Sequence, residues 1–394
     1  MRRKLKLLVV WAVCVLIINA VGIIVLSAPP TVKQPDLSVY VLTKPKKLFS
    51  VQYGKELSQV KMFIPPFGIE DAGDVAGPSD FAIGFDGNIY IGDEQSGKVK
   101  GFDRQGRFLM ATEGRIDRIA AFTVDKQGRI YVIHGTLSNE VAVYDKSGKR
   151  LYDVEQKIMN AARKLERELA SVSPLLKEKV FDFGGLPAGT VKCDGDGNLY
   201  FLGGKTTVRI NSEFTRAQAF EERILPLLNE GSYFSYRFLP GKRLKRIVYG
   251  IDGSIVNQFL TNALERIQIT VYKSDGIAVR KLQLPKREWS KIEQLAPMGG
   301  GEILCDGRGH FYIKRSPQIV LHLPLRSDNP GFFVVHYYGV FEYDEDGDFV
   351  GVRAIVNGPP CYMVSWFQVD TQGNIYWLDF KADHVDVMMA PVPQ

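Results

Sequence analysis

The chain has 394 residues, 45% of them hydrophobic and 24% charged, a composition that excludes a largely disordered polypeptide and leaves ample material for a core. Its formal net charge of +6 is concentrated at the start, where Arg2, Arg3, Lys4 and Lys6 precede the first acid, Asp36. Subtracting those four leaves +2, too little and too dispersed for a nucleic-acid surface, so no nucleic-acid partner is expected.

Residues 1–6 read as a basic cytoplasmic flank. From Leu7 to Ala28 run 22 residues without a charge, with Asn19 the one strongly polar side chain. At about 1.5 Å per residue such a helix spans the roughly 30 Å hydrocarbon core, and it is longer than the apolar region of a cleaved signal peptide. Residues 7–28 are therefore expected to be an uncleaved transmembrane signal anchor and the chain's contact with the membrane. The positive-inside rule leaves the flank in the cytoplasm and everything after Pro30 outside it. The segment 29–46 begins with Pro29, Pro30 and Pro35 and reads as a linker lifting the domain 47–394 off the bilayer.

Beyond the linker one pattern recurs: an apolar strand, an Asp-and-Gly turn, then an apolar-Tyr strand. It occurs as FAIGFDGNIYI (81–91), FTVDKQGRIYV (122–132), VKCDGDGNLYFL (191–202), ILCDGRGHFYI (303–313) and FQVDTQGNIYWLD (367–379). A weaker sixth copy is RIVYGIDGSIVNQF (246–259). Each reads as a tight hairpin, with Gly free to take positive φ and Asp or Asn bonding to nearby backbone. A further strand and turn follow several copies, as in VKGFDRQGRFL (99–109), VAVYDKSGKRL (141–151), ITVYKSDGIAV (269–279) and VFEYDEDGDFV (340–350). Strand, turn, strand, loop, strand, turn, strand is one four-stranded propeller blade.

In these motifs the sequence resembles the NHL-repeat family and its six-bladed relatives, across about residues 78 to 390. The resemblance implies an all-β fold, a six-bladed β-propeller, and says little about function, because such propellers include scaffolds, sensor ectodomains and a few enzymes. The last copy lacks an outer strand, and Lys47 to Tyr53, which alternates like a strand, is expected to supply it.

Two helical insertions are expected, near 154–180 and 213–229. In the first, Ile158, Ala162, Leu165 and Leu169 fall on one helical face. That face is expected to cover a rim of the propeller, with Ile158, Leu165 and Leu169 as candidates for partner binding should it instead serve as a docking helix. In the second, Ala217, Phe220, Ile224 and Leu227 follow Ser212, a plausible N-cap.

Signals for chemistry are sparse. Cys14 lies in the anchor, and Cys193 and Cys305 precede equivalent turns, which reads as buried thiols on strands. Together with Cys361 they form no zinc spacing, and the five histidines form no metal pair. Asp93 and Asp379, at matching places in two copies, are weak metal candidates, and calcium is the ion they would suit. The runs 194–198 and 344–348 look superficially like calcium loops but lack the downstream Glu. No nucleophile elbow, phosphate loop or catalytic triad is recognisable. The expectation is a membrane-tethered extracytoplasmic binding or scaffold module without a cofactor, taking protein, peptide or glycan at a propeller face. The alternative is a hydrolase or lyase with a metal in the central channel.

Overall fold

The computed structural model describes residues 41–63, 75–135, 140–181, 186–187, 189–203, 206–228, 232–239, 243–249, 255–262, 266–287, 298–316, 322–324, 332–334, 337–357, 361 and 363–393. The chain starts with β1 (Lys46–Gln52) and proceeds to blade one, β2 (Pro78–Ile83), β3 (Ile89–Asp93), β4 (Lys98–Phe102) and β5 (Phe108–Ala111). Blade two contains β6 (Ile119–Val124), β7 (Ile130–His134) and β8 (Glu140–Tyr144), followed by helices α1 (Tyr152–Val172) and α2 (Pro174–Val180). Blade three is β9 (Thr190–Cys193), β10 (Leu199–Leu202), β11 (Thr207–Ile210) and β12 (Ala217–Phe220).

Blade four is β13 (Ile224–Pro226) and β14 (Tyr233–Leu239), then the hairpin β15 (Arg243–Tyr249) and β16 (Ile255–Asn262), then β17 (Arg266–Tyr272) and β18 (Ala278–Leu284). Blade five runs β19 (Met298–Cys305), β20 (Phe311–Ser316), a small hairpin β21 (His322–Pro324) and β22 (Phe332–Val334), β23 (Tyr337–Tyr343) and β24 (Phe349–Asn357). Blade six has β25 (Gln368–Val369), β26 (Ile375–Phe380) and β27 (His384–Ala390). Five sheets have four strands in meander order and blade two has three, so the chain is a six-bladed β-propeller.

The ring closes through β1, which joins blade six in the order β1-β27-β26-β25. Phe49 pairs with Val387 and Val51 with Val385, and all four side chains are buried between blades six and one. Strand alternation in KLFSVQ delivers this: Phe49 and Val51 point inward while Ser50 points out and donates to Asp386. β1 thus covers the edge that β27 would otherwise present.

One device shapes the hairpins. Asp125, Asp194, Asp306 and Asp370 each accept, on Oδ1, the backbone N–H groups two and four residues on. On Oδ2 each accepts the Tyr hydroxyl six residues on: Tyr131, Tyr200, Tyr312 and Tyr376. The glycine before the second strand takes φ near +80°, as at Gly128 and Gly197, which a Cβ would strain. The two calcium-like runs belong to this class of turn, since Asp194 and Asp344 direct their oxygens to the chain's own N–H groups.

Blade two lacks a fourth strand because α1 stands in its place. The outer edge of β8 is satisfied by Leu151 N–H, which donates to Val143 O at 2.7 Å, and by Glu155 Oε1, which accepts Val143 N–H at 2.9 Å. Arg150 completes an ion pair with Glu155 at 2.8 Å. The inner face of α1 places Ile158, Ala161, Ala162 and Leu165 against Tyr131, Val143, Phe201 and Phe214, filling the wedge between blades two and three. The candidates Ile158 and Leu165 are thus inside the molecule, and Leu169 packs half-buried beside them. The face singled out for docking is covered by this chain's own strands.

Two expectations are corrected. The helix expected near 213–229 is β12 and β13. Asn211 takes the turn role of Asp, accepting Thr215 N–H at 2.9 Å and Arg216 N–H at 2.7 Å, and Phe214 adopts φ of 57°. The 3–4 spacing of Ala217, Phe220, Ile224 and Leu227 spans two strands of adjacent blades and is no helical face. The weak sixth copy at 246–259 falls on β15–β16, a separate two-stranded sheet inserted between β14 and β17. The true first hairpin of blade four is β13 with β14, where Leu227 holds the Asp position and donates its N–H to Ser232 O at 3.0 Å.

No helix among the described residues is long and apolar enough to cross a membrane, and the anchor at 7–28 lies outside the described residues.

Candidate ligand site in the axial channel

The innermost strand of each blade is β2, β6, β9, β13, β19 or β25. Alternation along these strands turns every second residue to the axis. Two positions before the turn residue, the six blades place Ala82, Thr123, Lys192, Leu225, Leu304 and Gln368, and all six line the axial cavity. By sequence, the residues four positions before it are Asp80, Ala121, Thr190, Arg223, Glu302 and Trp366.

The first ring is crossed by a bar. Lys192 Nζ donates to Gln368 Oε1 at 3.3 Å, and Gln368 Nε2 donates to Phe81 O at 2.8 Å. Toward the Asp-turn face the cavity measures about 920 Å³, counting space open to solvent, and has the apolar walls Val124, Leu225, Leu304 and Val369. Cys193 and Cys305 also face it, both as free thiols pushed well above the usual range by burial. Toward the opposite face, where the loops from second to third strands emerge, lies a second cavity of about 690 Å³ on the same measure. Lys192, Leu225, Ile303 and Leu304 line both.

The loop-side cavity is basic among its described side chains, which include Lys192, Arg223 and Lys314. Arg223 donates from Nε to Gly203 O at 3.4 Å and from Nη1 to the Tyr236 hydroxyl at 3.2 Å. Lys314 lies 4.0 Å from the ring centroid of Trp366 and 4.8 Å from that of Tyr338, and those two rings meet edge to face at 4.4 Å. Thr190 and Tyr236 add hydroxyls.

Asp80 lies close to Lys192 but is withdrawn. Its oxygens accept Phe81 N–H at 2.9 Å and Phe122 N–H at 3.1 Å. Burial raises its carboxyl pKa, outweighing the Lys192 charge and the Ser365 hydrogen bond that oppose the shift. Its role is to tie blade one to blade two.

The weak metal candidates do not converge on this site. Asp93 is fully buried; it accepts Lys61 N–H at 3.1 Å, Ser96 N–H at 3.1 Å and Lys100 Nζ at 2.7 Å, and Lys100 also donates to Gln59 O. These bonds fasten the strap after β1 onto blade one. Asp379 is paired with Lys381 at 2.7 Å on blade six. No group of three or more His, Cys, Asp or Glu side chains placed to hold a metal occurs among the described residues. Of the histidines, His310 bonds to Glu342 at 2.7 Å and His384 bridges Asp383 and Asp386. Burial lowers the pKa of His134.

Lys192, Arg223, Lys314, Gln368 and Trp366 went unnoticed in the sequence. The signal for two of them is present: in VKCDGDG and FQVDTQG a polar residue stands two before the turn Asp, where the other copies carry smaller or apolar residues.

No protein-family model matches the chain, and no curated protein matches it in sequence. Among solved structures, a Kuenenia stuttgartiensis hydrazine synthase is similar with 11% identity over 79% of each chain and a TM-score of 0.40. Virginiamycin B lyase from Staphylococcus aureus is similar with 12% identity over 88% of this chain and 99% of that one, at 0.37. A gluconolactonase from Xanthomonas campestris gives 11% identity over 88% and 98%, at 0.35. At this identity and superposition the likeness carries nothing about activity, and the fold rests on this chain's own sheet order.

Proposed function

We propose that this protein is a binding module that receives an anionic group of its ligand in the loop-side end of the axial channel. The supporting observation is that Lys192 and Arg223 line one cavity while their hydrogen-bond partners are neutral oxygens of Gln368, Gly203 and Tyr236. Cations held this way keep their charge available to a ligand, and their recessed position weakens solvent screening of the attraction. The ligand classes expected from the sequence, protein, peptide or glycan, are each able to supply such a group. Tethering by residues 7–28 with the propeller outside the cytoplasm completes the reading, supported by the apolar run and its basic flank.

Titration calorimetry of the whole protein with sulfate and short oligoanions tests the site. Changing both Lys192→Met and Arg223→Gln is expected to weaken binding at least tenfold; unchanged binding would contradict the reading. Retention of the full chain in carbonate-washed membranes, with release of a chain starting at residue 29, tests the tether.

A further inference from the structure

We infer that the turn-side cavity is a second ligand site, for a small monocarboxylic acid with a compact apolar body, whose carboxylate reaches Lys192 and Thr123 at the cavity floor. The inference goes beyond the loop-side reading and shares only Lys192 with it. One position before each turn residue the six inner strands place Ile83, Val124, Cys193, Pro226, Cys305 and Val369, and all six line this cavity. All but the half-buried Ile83 are buried, so what they border is a recess. The six blades thus set an uncharged collar around the axis, in which the two thiols act as small apolar groups.

Below the collar the floor is polar. Thr123 and Lys192 stand at the same level on β6 and β9, the neighbouring inner strands of blades two and three. Lys192 Nζ gives one donor to Gln368 Oε1 in a long bond of 3.3 Å, and an ammonium has two more. Thr123 is 8% exposed, and its hydroxyl has no hydrogen-bond partner among the described residues. A recessed hydroxyl of this kind takes its partner from whatever fills the cavity. Asp370, the one acid of the described lining, spends its oxygens on Gln372 N–H, Asn374 N–H, Asn374 Nδ2 and the Tyr376 hydroxyl. Asp80, close to Lys192, accepts Phe81 N–H and Phe122 N–H and lines neither cavity. A carboxylate with one oxygen toward Lys192 and the other toward Thr123 answers both donors, and the ion pair offsets its loss of water. A cation would be repelled by Lys192, and a saccharide would find no hydroxyl partners in the collar. Burial of an apolar body there supplies the remaining affinity. Arg104, exposed at the mouth and bonded to Gly87 O at 3.4 Å, is the other cation in reach. A carboxylate held there would press the apolar body onto the charged floor, so the inward orientation is the one the cavity fits.

The test titrates the full chain in lipid nanodiscs with phenylacetate, acetate, phenylacetamide and sulfate. Phenylacetate is expected to bind at least tenfold tighter than acetate or phenylacetamide. Ala82→Leu, which narrows the turn-side cavity alone, should weaken phenylacetate at least tenfold and sulfate less than threefold, so that sulfate reports a folded variant. Thr123→Val should weaken phenylacetate about three- to tenfold, and Arg104→Gln less than twofold. Crystals soaked in 4-bromophenylacetate should show an anomalous bromine peak inside the collar, a readout independent of any variant. Phenylacetate no tighter than acetate, a greater loss in Arg104→Gln than in Thr123→Val, or bromine bound only outside the collar would overturn the inference. Sulfate binding that depends on Lys192 and Arg223 would leave the loop-side reading standing in each of those cases. Phenylacetate held in the collar with no sulfate binding would support this inference and overturn the loop-side reading alone.

Discussion

Lys192 on β9 and Gln368 on β25 are separated by 176 positions, yet their side chains meet at 3.3 Å. They belong to blades three and six, which stand opposite each other in the ring, so the contact bridges the axis and divides the channel into two cavities. A half-buried Lys bonded to an amide oxygen at the long distance of 3.3 Å contributes about 1–2 kcal/mol. Lys192→Met is therefore expected to move the melting temperature by no more than a few degrees while weakening anion binding at least tenfold. Melting and calorimetry on one preparation check both halves; a large loss of stability with intact binding would make the bar structural only.

The turn device predicts a contrast between two aspartates. Asp194 is fully buried and accepts four hydrogen bonds, from Asp196 N–H, Asn198 N–H, Asn198 Nδ2 and the Tyr200 hydroxyl. Asp194→Ala strands the buried Tyr200 hydroxyl and is expected to cost about 3 kcal/mol or more. Asp344 bonds only two backbone N–H groups, at 3.0 and 2.9 Å, in a partly exposed turn. Asp344→Ala should cost about 1 kcal/mol. Chemical denaturation of the two variants measures the difference.

Closure by β1 predicts that truncating its inward residues acts on the whole ring. Phe49 contacts Phe102 at 6.0 Å between ring centroids and is buried against blade one, so Phe49→Ala should cost about 3 kcal/mol. Removing residues 46–52 should broaden or split the unfolding transition, because blade six then exposes the edge of β27. A single sharp transition at the wild-type temperature would exclude this role.

Glu342 predicts an acid limb. Its carboxylate accepts from Arg353 at 2.6 Å, His310 at 2.7 Å and the Tyr312 hydroxyl at 3.1 Å, while Arg353 also donates to Gly373 O and Pro391 O of blade six. Burial works to raise its pKa, but the Arg353 charge and these hydrogen bonds outweigh it and hold the carboxyl below its ordinary value of 4.5. A depressed folded-state pKa means that the stabilisation is complete above the ordinary glutamate range and is lost as pH falls through the folded-state value. Glu342→Gln should be clearly destabilised at neutral pH, with the gap in melting temperature narrowing below about pH 4.5. A gap independent of pH would contradict the assignment.

The fold was legible where the repeat chemistry is strict. Asp125, Asp194, Asp306 and Asp370, each with Tyr six residues on, announce four hairpins by residue type alone. Blade one is recognisable despite Gly84 at the Asp position, because Asp86 bonds Asn88 instead. Blade four carries Leu227 at that position and a wider turn, so the pattern fell silent, and the Asp-Gly of an inserted hairpin took its place. In blade three an Asn in place of Asp concealed a turn and left a false helical spacing. The site was harder to read because its basic members come from blades three, four and five: Lys192, Arg223 and Lys314 are brought together by ring closure, which no local pattern encodes.

The most direct measurement is an anomalous difference map from crystals of the protein soaked in selenate. The account predicts a selenium peak in the loop-side cavity within hydrogen-bond reach of Arg223 and Lys192, absent from crystals of the Lys192→Met, Arg223→Gln variant. Selenate bound only elsewhere, or a peak that persists in that variant, would contradict it.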